Sequence, residues 1–249
     1  MAQTEQKNQN VKKQFEELQS LLERAMALQT SMVLFEWDDE TLAPKGAAEH
    51  TARVIGSLSE QYQEILASMR FKELLDVCQK AGKENAGVFD EVKSAILREA
   101  AEEQERLSCI PPEEYRAYAE LTACATGIWT RAREKNDFAS FAPVLKEIIS
   151  YQKKFAAYRA KPGQKLYDVM LDTYEKGFNM EMLDPFFELM KGKIVPLLKE
   201  SAERSKMVPD AFLSADYPEA AQAEVARFLA EYEGFDFDRG VLALSAHPF

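Results

Sequence analysis

Apolar residues return at three- and four-residue spacing along almost the whole chain, and a chain with that period folds as a succession of helices. Phe15, Leu18, Leu22, Ala25, Leu28, Met32 and Phe35 share one face of a long first segment that ends near Trp37, opposite charged and polar positions. Pro44 and Gly46 then interrupt the pattern. Ile55, Leu58, Tyr62, Ile65, Leu66 and Met69 mark a second helix, which runs toward a third around Phe71, Leu74 and Leu75. Ala81 to Gly87, with two glycines and an asparagine, reads as a surface turn. Val88, Val92, Ile96 and Leu107 define the next helix. Pro111-Pro112 stops it and starts another, because a first-turn N–H has no intrahelical partner to lose.

Tyr115, Tyr118, Leu121, Ile128 and Trp129 form the expected buried side of that new helix. Asp137 and Ser140 are candidate caps for a helix carrying Val144, Leu145, Ile148, Ile149, Phe155 and Tyr158, with Pro143 near its first turn and Gly163 at its exit. After a short apolar piece over 167–174, Gly177 and Asn179 open a helix with Leu183, Phe186, Phe187, Leu189 and Met190. Pro196 inside that pattern predicts a kink or break at Ile194-Val195. Asp216 and Pro218 begin the last helix, through Val225, Phe228 and Leu229, and Gly234 closes it. Only Val241 to Leu244 suggests a strand, and a minimal one. The expectation is all-α: a single helical region over residues 1–249, with the polar residues 1–10 flexible because they have no apolar face to dock.

Composition narrows the function classes. With 46% hydrophobic residues in 249, the chain can bury a sizeable core. Lys and Arg number 31 against 42 for Asp and Glu, and the formal net charge of -11 repels phosphate backbones and anionic membranes. No nucleic-acid or membrane partner is expected. No stretch is long and apolar enough to span a bilayer, and residues 1–10 lack the apolar run of a secretory signal. The odd set Cys78, Cys109 and Cys124 has no paired metal-ligand spacing and suits a reducing cytoplasm.

Chemistry-bearing motifs are mostly missing. His50 and His247 are the two histidines, and no His-x-x-x-His pair places two imidazoles on one helical face. Ala47 and Leu244 stand three residues before them, so there is no Glu-x-x-His of a di-iron bundle. The Gly-Lys pairs at Gly82 and Gly192 lack the earlier glycine of a phosphate loop, and no Gly-x-Ser-x-Gly elbow occurs. The acidic runs Glu99 to Glu105 and Glu113-Glu114 read as solvated helix faces. His50 reads as an ordinary helical histidine.

Four stretches together resemble the carboxypeptidase Taq family of metallocarboxypeptidases. Trp37-Asp38-Asp39-Glu40-Thr41 with Pro44, Gly46 and Arg53 is similar to its signature between the first two helices. Trp129-Thr130-Arg131-Ala132-Arg133, Asp137-Phe138 and Phe141-Ala142-Pro143 with Leu145 resemble its Trp-x-x-Ala-Arg, Asp-Phe and Phe-x-Pro-x-Leu pattern. Tyr167-Asp168, Leu171-Asp172, Tyr174-Glu175 and Gly177 resemble a third motif, and His247-Pro248-Phe249 a fourth.

The resemblance runs from about Phe15 onward and corresponds to the amino-terminal half of a member. It implies a zincin-like arrangement of long antiparallel helices walling a channel. It also implies removal of carboxy-terminal residues from peptides, with zinc or cobalt held by His-Glu-x-x-His and a downstream Glu. None of those ligands occurs in this chain, so no catalytic or metal residue is assigned in it and it is expected to be inactive alone. His247, Pro248 and Phe249 are the residues the resemblance assigns to substrate binding. The partners implied are a peptide substrate, a homodimer, and a missing carboxy-terminal half in a truncated product. A non-catalytic helical scaffold that keeps the peptidase fold is the alternative.

Overall fold

The computed structural model describes residues 2–44, 46–85, 87–205 and 209–245. They form α1 (Ala2–Thr41), α2 (Ala48–Ala67), α3 (Met69–Glu84), α4 (Glu91–Ser108), α5 (Pro112–Glu134), α6 (Phe138–Arg159), α7 (Leu166–Tyr174), α8 (Met180–Ser205) and α9 (Glu219–Tyr232). A short 3₁₀ turn covers Ala211–Ser214. No strand is present among the described residues. Val241 to Leu244 is irregular, because a lone extended segment has no second strand to complete its hydrogen bonds. The all-α expectation holds.

Local chemistry sets most of the boundaries. Ser68 separates α2 from α3, accepting from Phe71 N at 3.2 Å while its Oγ donates to Ile65 O at 2.8 Å. Asp90 caps α4 through Lys93 N at 2.8 Å, a cap the apolar pattern did not reveal. Asp137 accepts from Ser140 N at 3.3 Å and is the cap of α6, whereas Ser140 supplies the donor. Asn179 caps α8 through Met182 N at 3.0 Å. α3 runs to Glu84, past the turn expected from Ala81, because Ala81 is still core.

Two expectations need correction. α8 continues through both Pro185 and Pro196, so of the kink or break expected at Ile194-Val195 the break is absent. The carbonyl four residues before Pro196, which its ring crowds, belongs to Gly192. On α5 the large side chains Tyr115, Tyr118, Leu121, Ile128 and Trp129 are only half-buried, and Ala125 and Ala132 are the buried positions. Small residues let α5 approach its neighbour closely, which leaves the large ones at the margin.

The described residues divide into two compact units, one extending to Leu166 and the other covering Tyr167–Ser245. In the first, Val11, Phe15, Leu18 and Ala25 of α1 join Leu66, Phe71, Leu74, Leu75, Cys78, Leu97 and Leu107 in one apolar cluster. Phe15 meets Phe89 with ring centroids 5.1 Å apart. The α1 stripe ends at Met32, since Phe35 is exposed. Gln63 lies 1% exposed between helices, and its Nε2 donates to Leu107 O at 3.1 Å and Ile110 O at 2.6 Å. α2 and α5 pack so closely at Gly56 that a Cβ there would stand 2.2 Å from Glu120 Cγ. Arg116 of α5 reaches across to Glu60 of α2 at 2.9 Å and also pairs with Glu120 on its own helix at 2.9 Å. In the second unit Val169 is buried, while α8 and α9 bury no residue.

Candidate functional site

The end of α1, α2 and α5 enclose a cleft of about 300 Å³. α1 contributes Glu36, Asp39 and Glu40, whose three- and four-residue spacing puts three carboxylates on one helical face. α2 contributes Ala48, Thr51, Ala52, Ile55 and Ser59, and α5 contributes Ala119, Thr122, Ala123 and Thr126. The small side chains on these two walls are what leave the space open.

Burial raises the Glu36 carboxyl above the ordinary range, and burial followed by the neighbouring Asp38 charge does the same for Asp39. The Cys124 thiol is pushed up by burial first and then by Glu49, Glu120 and Asp39, with Arg53 opposing. Arg53 is paired with Glu49 at 2.8 Å. The field in this region is therefore negative and favours cationic groups. The Ser59 hydroxyl lies 3.0 Å from Met32 Sδ, so it is engaged with a thioether rather than with a base. Among the described residues no nucleophile–base pair stands in the cleft.

Three of the four motif stretches are corners of the fold. Thr41 Oγ1 donates to Trp37 O at 2.6 Å, and Leu42 N and Ala43 N donate to Asp38 O at 2.9 and 2.8 Å, which closes α1. Around Trp129, Arg133 stacks 5.2 Å from the ring centroid and Ala132 is buried. Asn136 turns the chain with φ 52 and Asp137 starts α6. In the third stretch Asp168 Oδ1 accepts from Met180 N and Asp172 Oδ1 from Gly177 N, both at 2.8 Å, while Gly177 takes φ +81. The acidic cleft brings motif residues Asp39 and Glu40 together with α5, a grouping across distant sequence that the pattern of any single helix could not reveal.

His247, Pro248 and Phe249 lie outside the described residues. His50 is exposed on α2. Among the described residues no three His, Cys, Asp or Glu side chains stand together as a metal site. The sequence has two histidines and no His-x-x-x-His pair.

Residues 17–249 match the model of the carboxypeptidase Taq (M32) metallopeptidase family. The chain belongs to this family. Carboxypeptidase 1 of Bacillus subtilis is 33% identical to this M32 chain over 229 residues, which are 92% of the chain and 45% of that relative. Thermostable carboxypeptidase 1 of Pyrococcus furiosus is 30% identical over 91% of the chain and 44% of its own length. The BsuCP crystal structure superposes with a TM-score of 0.89 at 32% identity, covering 95% of this chain and 47% of that one. Trypanosoma cruzi metallocarboxypeptidase 1 superposes with a TM-score of 0.75 at 28% identity, with the same coverage. The M32 chain thus spans about half the length of the curated relatives it matches. None of its helices among the described residues is long and apolar enough to cross a membrane.

Proposed function

We propose that this M32 chain forms the amino-terminal helical portion of a metal-dependent carboxypeptidase that releases carboxy-terminal amino acids from peptides. In this reading the chain walls one side of the substrate channel, and hydrolysis needs zinc or cobalt ligands that residues 1–249 do not contain. The observation that carries it is the pairing of a nearly end-to-end family match with a sequence that has no His-x-x-x-His. His247, Pro248 and Phe249 contribute to substrate binding in the assembled enzyme. A homodimer and a cytoplasmic location belong to the same reading, the latter supported by three free cysteines.

The test is hydrolysis of blocked dipeptides with added zinc or cobalt. The M32 chain is assayed alone and together with a polypeptide corresponding to the unmatched carboxy-terminal half of Bacillus subtilis carboxypeptidase 1. Activity is expected only in the combination. Metal-dependent release of amino acids by residues 1–249 alone, or one tightly held metal per chain in native mass spectrometry, overturns the proposal.

A further inference from the structure

The cleft between the end of α1, α2 and α5 carries charge that no described residue neutralises. Glu36, Asp39 and Glu40 line it, and none of the three has an ion-pair partner among the described residues. Arg53, the guanidinium whose charge reaches this region, is already paired with Glu49 at 2.8 Å. Three carboxylates on a helix face are by themselves ordinary, because such faces are usually solvated. A buried hydroxyl beside them is not.

Thr51 lines the same cleft and is 8% exposed, yet its Oγ1 has no hydrogen-bond partner among the described residues. Other helical threonines settle their hydroxyls on their own helix. Thr41 Oγ1 donates to Trp37 O at 2.6 Å, Thr122 Oγ1 to Tyr118 O at 3.0 Å and Thr130 Oγ1 to Thr126 O at 3.0 Å. The equivalent acceptor for Thr51 is Ala47 O, which already takes His50 N at 2.9 Å and Thr51 N at 3.0 Å. Thr51 leaves its hydroxyl off the helix and on the cleft side, a costly state for a buried polar group until a partner arrives. Ser59, on the same wall and also buried, donates only to the Met32 thioether, so its oxygen lone pairs are open as well.

The rest of the lining says which cation fits. Ala48, Ala52, Ile55, Ala119 and Ala123 are apolar, so they offer a metal ion no ligand and its hydration shell no hydrogen bond. The described carboxylates do not stand together as a metal site either. A methylene chain gains from those walls, and a cleft of about 300 Å³ has the size of a small-ligand site. Acceptors on two helices suit the three divergent donors of an ammonium better than the planar fork of a guanidinium. We infer that this cleft binds a primary alkylammonium group, with Glu36, Asp39 and Glu40 supplying the countercharge, Thr51 Oγ1 accepting an N–H and the alanines packing on the methylenes. Such a group comes from a free aliphatic diamine or from a lysine side chain of a peptide. The site needs no hydrolysis to be tested.

The experiment is calorimetric titration of the full chain with cadaverine and, separately, with Nα-acetyl-lysine amide. Saturable 1:1 binding with a Kd of about 1 mM or tighter is expected for at least one of them. Cadaverine binding the tighter identifies a free diamine as the source, and the lysine derivative binding the tighter identifies a peptide; either result supports the site. Pentanol, which has the methylenes without the charge, should not bind. Magnesium chloride should compete no better than sodium chloride of equal ionic strength. Glu36→Gln with Asp39→Asn should weaken binding at least tenfold. Glu64→Gln with Glu91→Gln removes the same charge at exposed sites on α2 and α4 and should leave it unchanged. Thr51→Val should weaken it at least threefold at unchanged helix content, and Thr51→Ser should retain it. Failure of both probes to saturate overturns the inference, as does displacement of the amine by magnesium. Equal weakening by the two charge pairs also overturns it, since general attraction would then be the whole effect. Should the Glu36 and Asp39 variant fail to fold, parental affinity in Thr51→Val refutes the site by itself.

Discussion

Replacing Gln63 by methionine tests whether one buried amide fixes the junction between α4 and α5. Its Nε2 donates to Leu107 O at 3.1 Å and to Ile110 O at 2.6 Å, where the chain leaves α4. Methionine keeps the length and removes both donors. Leu107 O still accepts from Ile110 N at 3.1 Å, so losing that bond costs little, about 0.5 kcal/mol. Ile110 O loses the donor that Gln63 supplies, and a buried unpaired carbonyl costs about 1–3 kcal/mol. Gln63 Oε1, which accepts from no protein donor among the described residues, disappears with the substitution and returns about 1 kcal/mol. The net expectation is a loss of about 1–2 kcal/mol. Urea denaturation below the concentration at which the chain self-associates should show a lower midpoint at unchanged slope.

Gln63→Glu sharpens the test. At neutral pH a carboxylate offers no donor to the two carbonyls and is itself desolvated, so the loss should reach about 3 kcal/mol or more. The introduced acid has its pKa raised in the folded state, and the penalty should therefore shrink as pH falls toward the ordinary glutamate value of about 4.3 and the protonated group regains one donor. A methionine variant within about 0.3 kcal/mol of the parent, or a glutamate variant no worse than methionine at pH 7, would refute the reasoning.

Three further outcomes can be measured on the same chain. Cys78 is fully buried with its thiol pushed up to about 11, so alkylation followed by mass spectrometry should label Cys109 and Cys124 first and Cys78 only on unfolding; three equal rates would contradict it. Glu36 and Asp39 hold their protons more strongly in the folded state than in the unfolded chain, so their ionisation erodes stability as pH rises from the ordinary carboxylate range through the raised folded values. Glu36→Gln and Asp39→Asn should therefore raise Tm at pH 7 and leave it unchanged near pH 3, and a Tm lowered at pH 7 would reverse the sign of that account. Gly56→Ala forces Glu120 away from Arg116, and overpacking of about 1–3 kcal/mol outweighs a helix-propensity gain of up to about 1 kcal/mol. The double variant with Glu120→Ala should recover most of the loss, whereas strict additivity would rule out the steric explanation.

Helix ends were legible where one residue's chemistry decides them. Pro111-Pro112, Asp137, Asn179 and Pro218 all mark starts because capping and the missing proline N–H act within a turn. The continuity of α8 through Pro185 and Pro196 was not legible, because a proline's local cost does not say whether the helix around it continues. The inner face of α5 was misjudged for a related reason. Size suggested Tyr118 and Trp129, but close helix approach selected Ala125 and Ala132. The family was readable from motifs that prove to be corners of the fold, whereas the acidic cleft joins side chains from 36 to 126 and becomes visible only after three helices are packed.

α1 has 40 residues and is therefore about 60 Å long, yet its two ends answer to different events. Phe15 and Leu18 share a cluster with Phe71, Leu97 and Leu107, so amides between Val11 and Ala25 can exchange with solvent only when α3 and α4 open as well. Val33, Leu34 and Phe35 face outward, and their amides open at lower free energy. In hydrogen exchange this single rod should behave as two elements that share a backbone, one clocked by global unfolding and the other by local fraying.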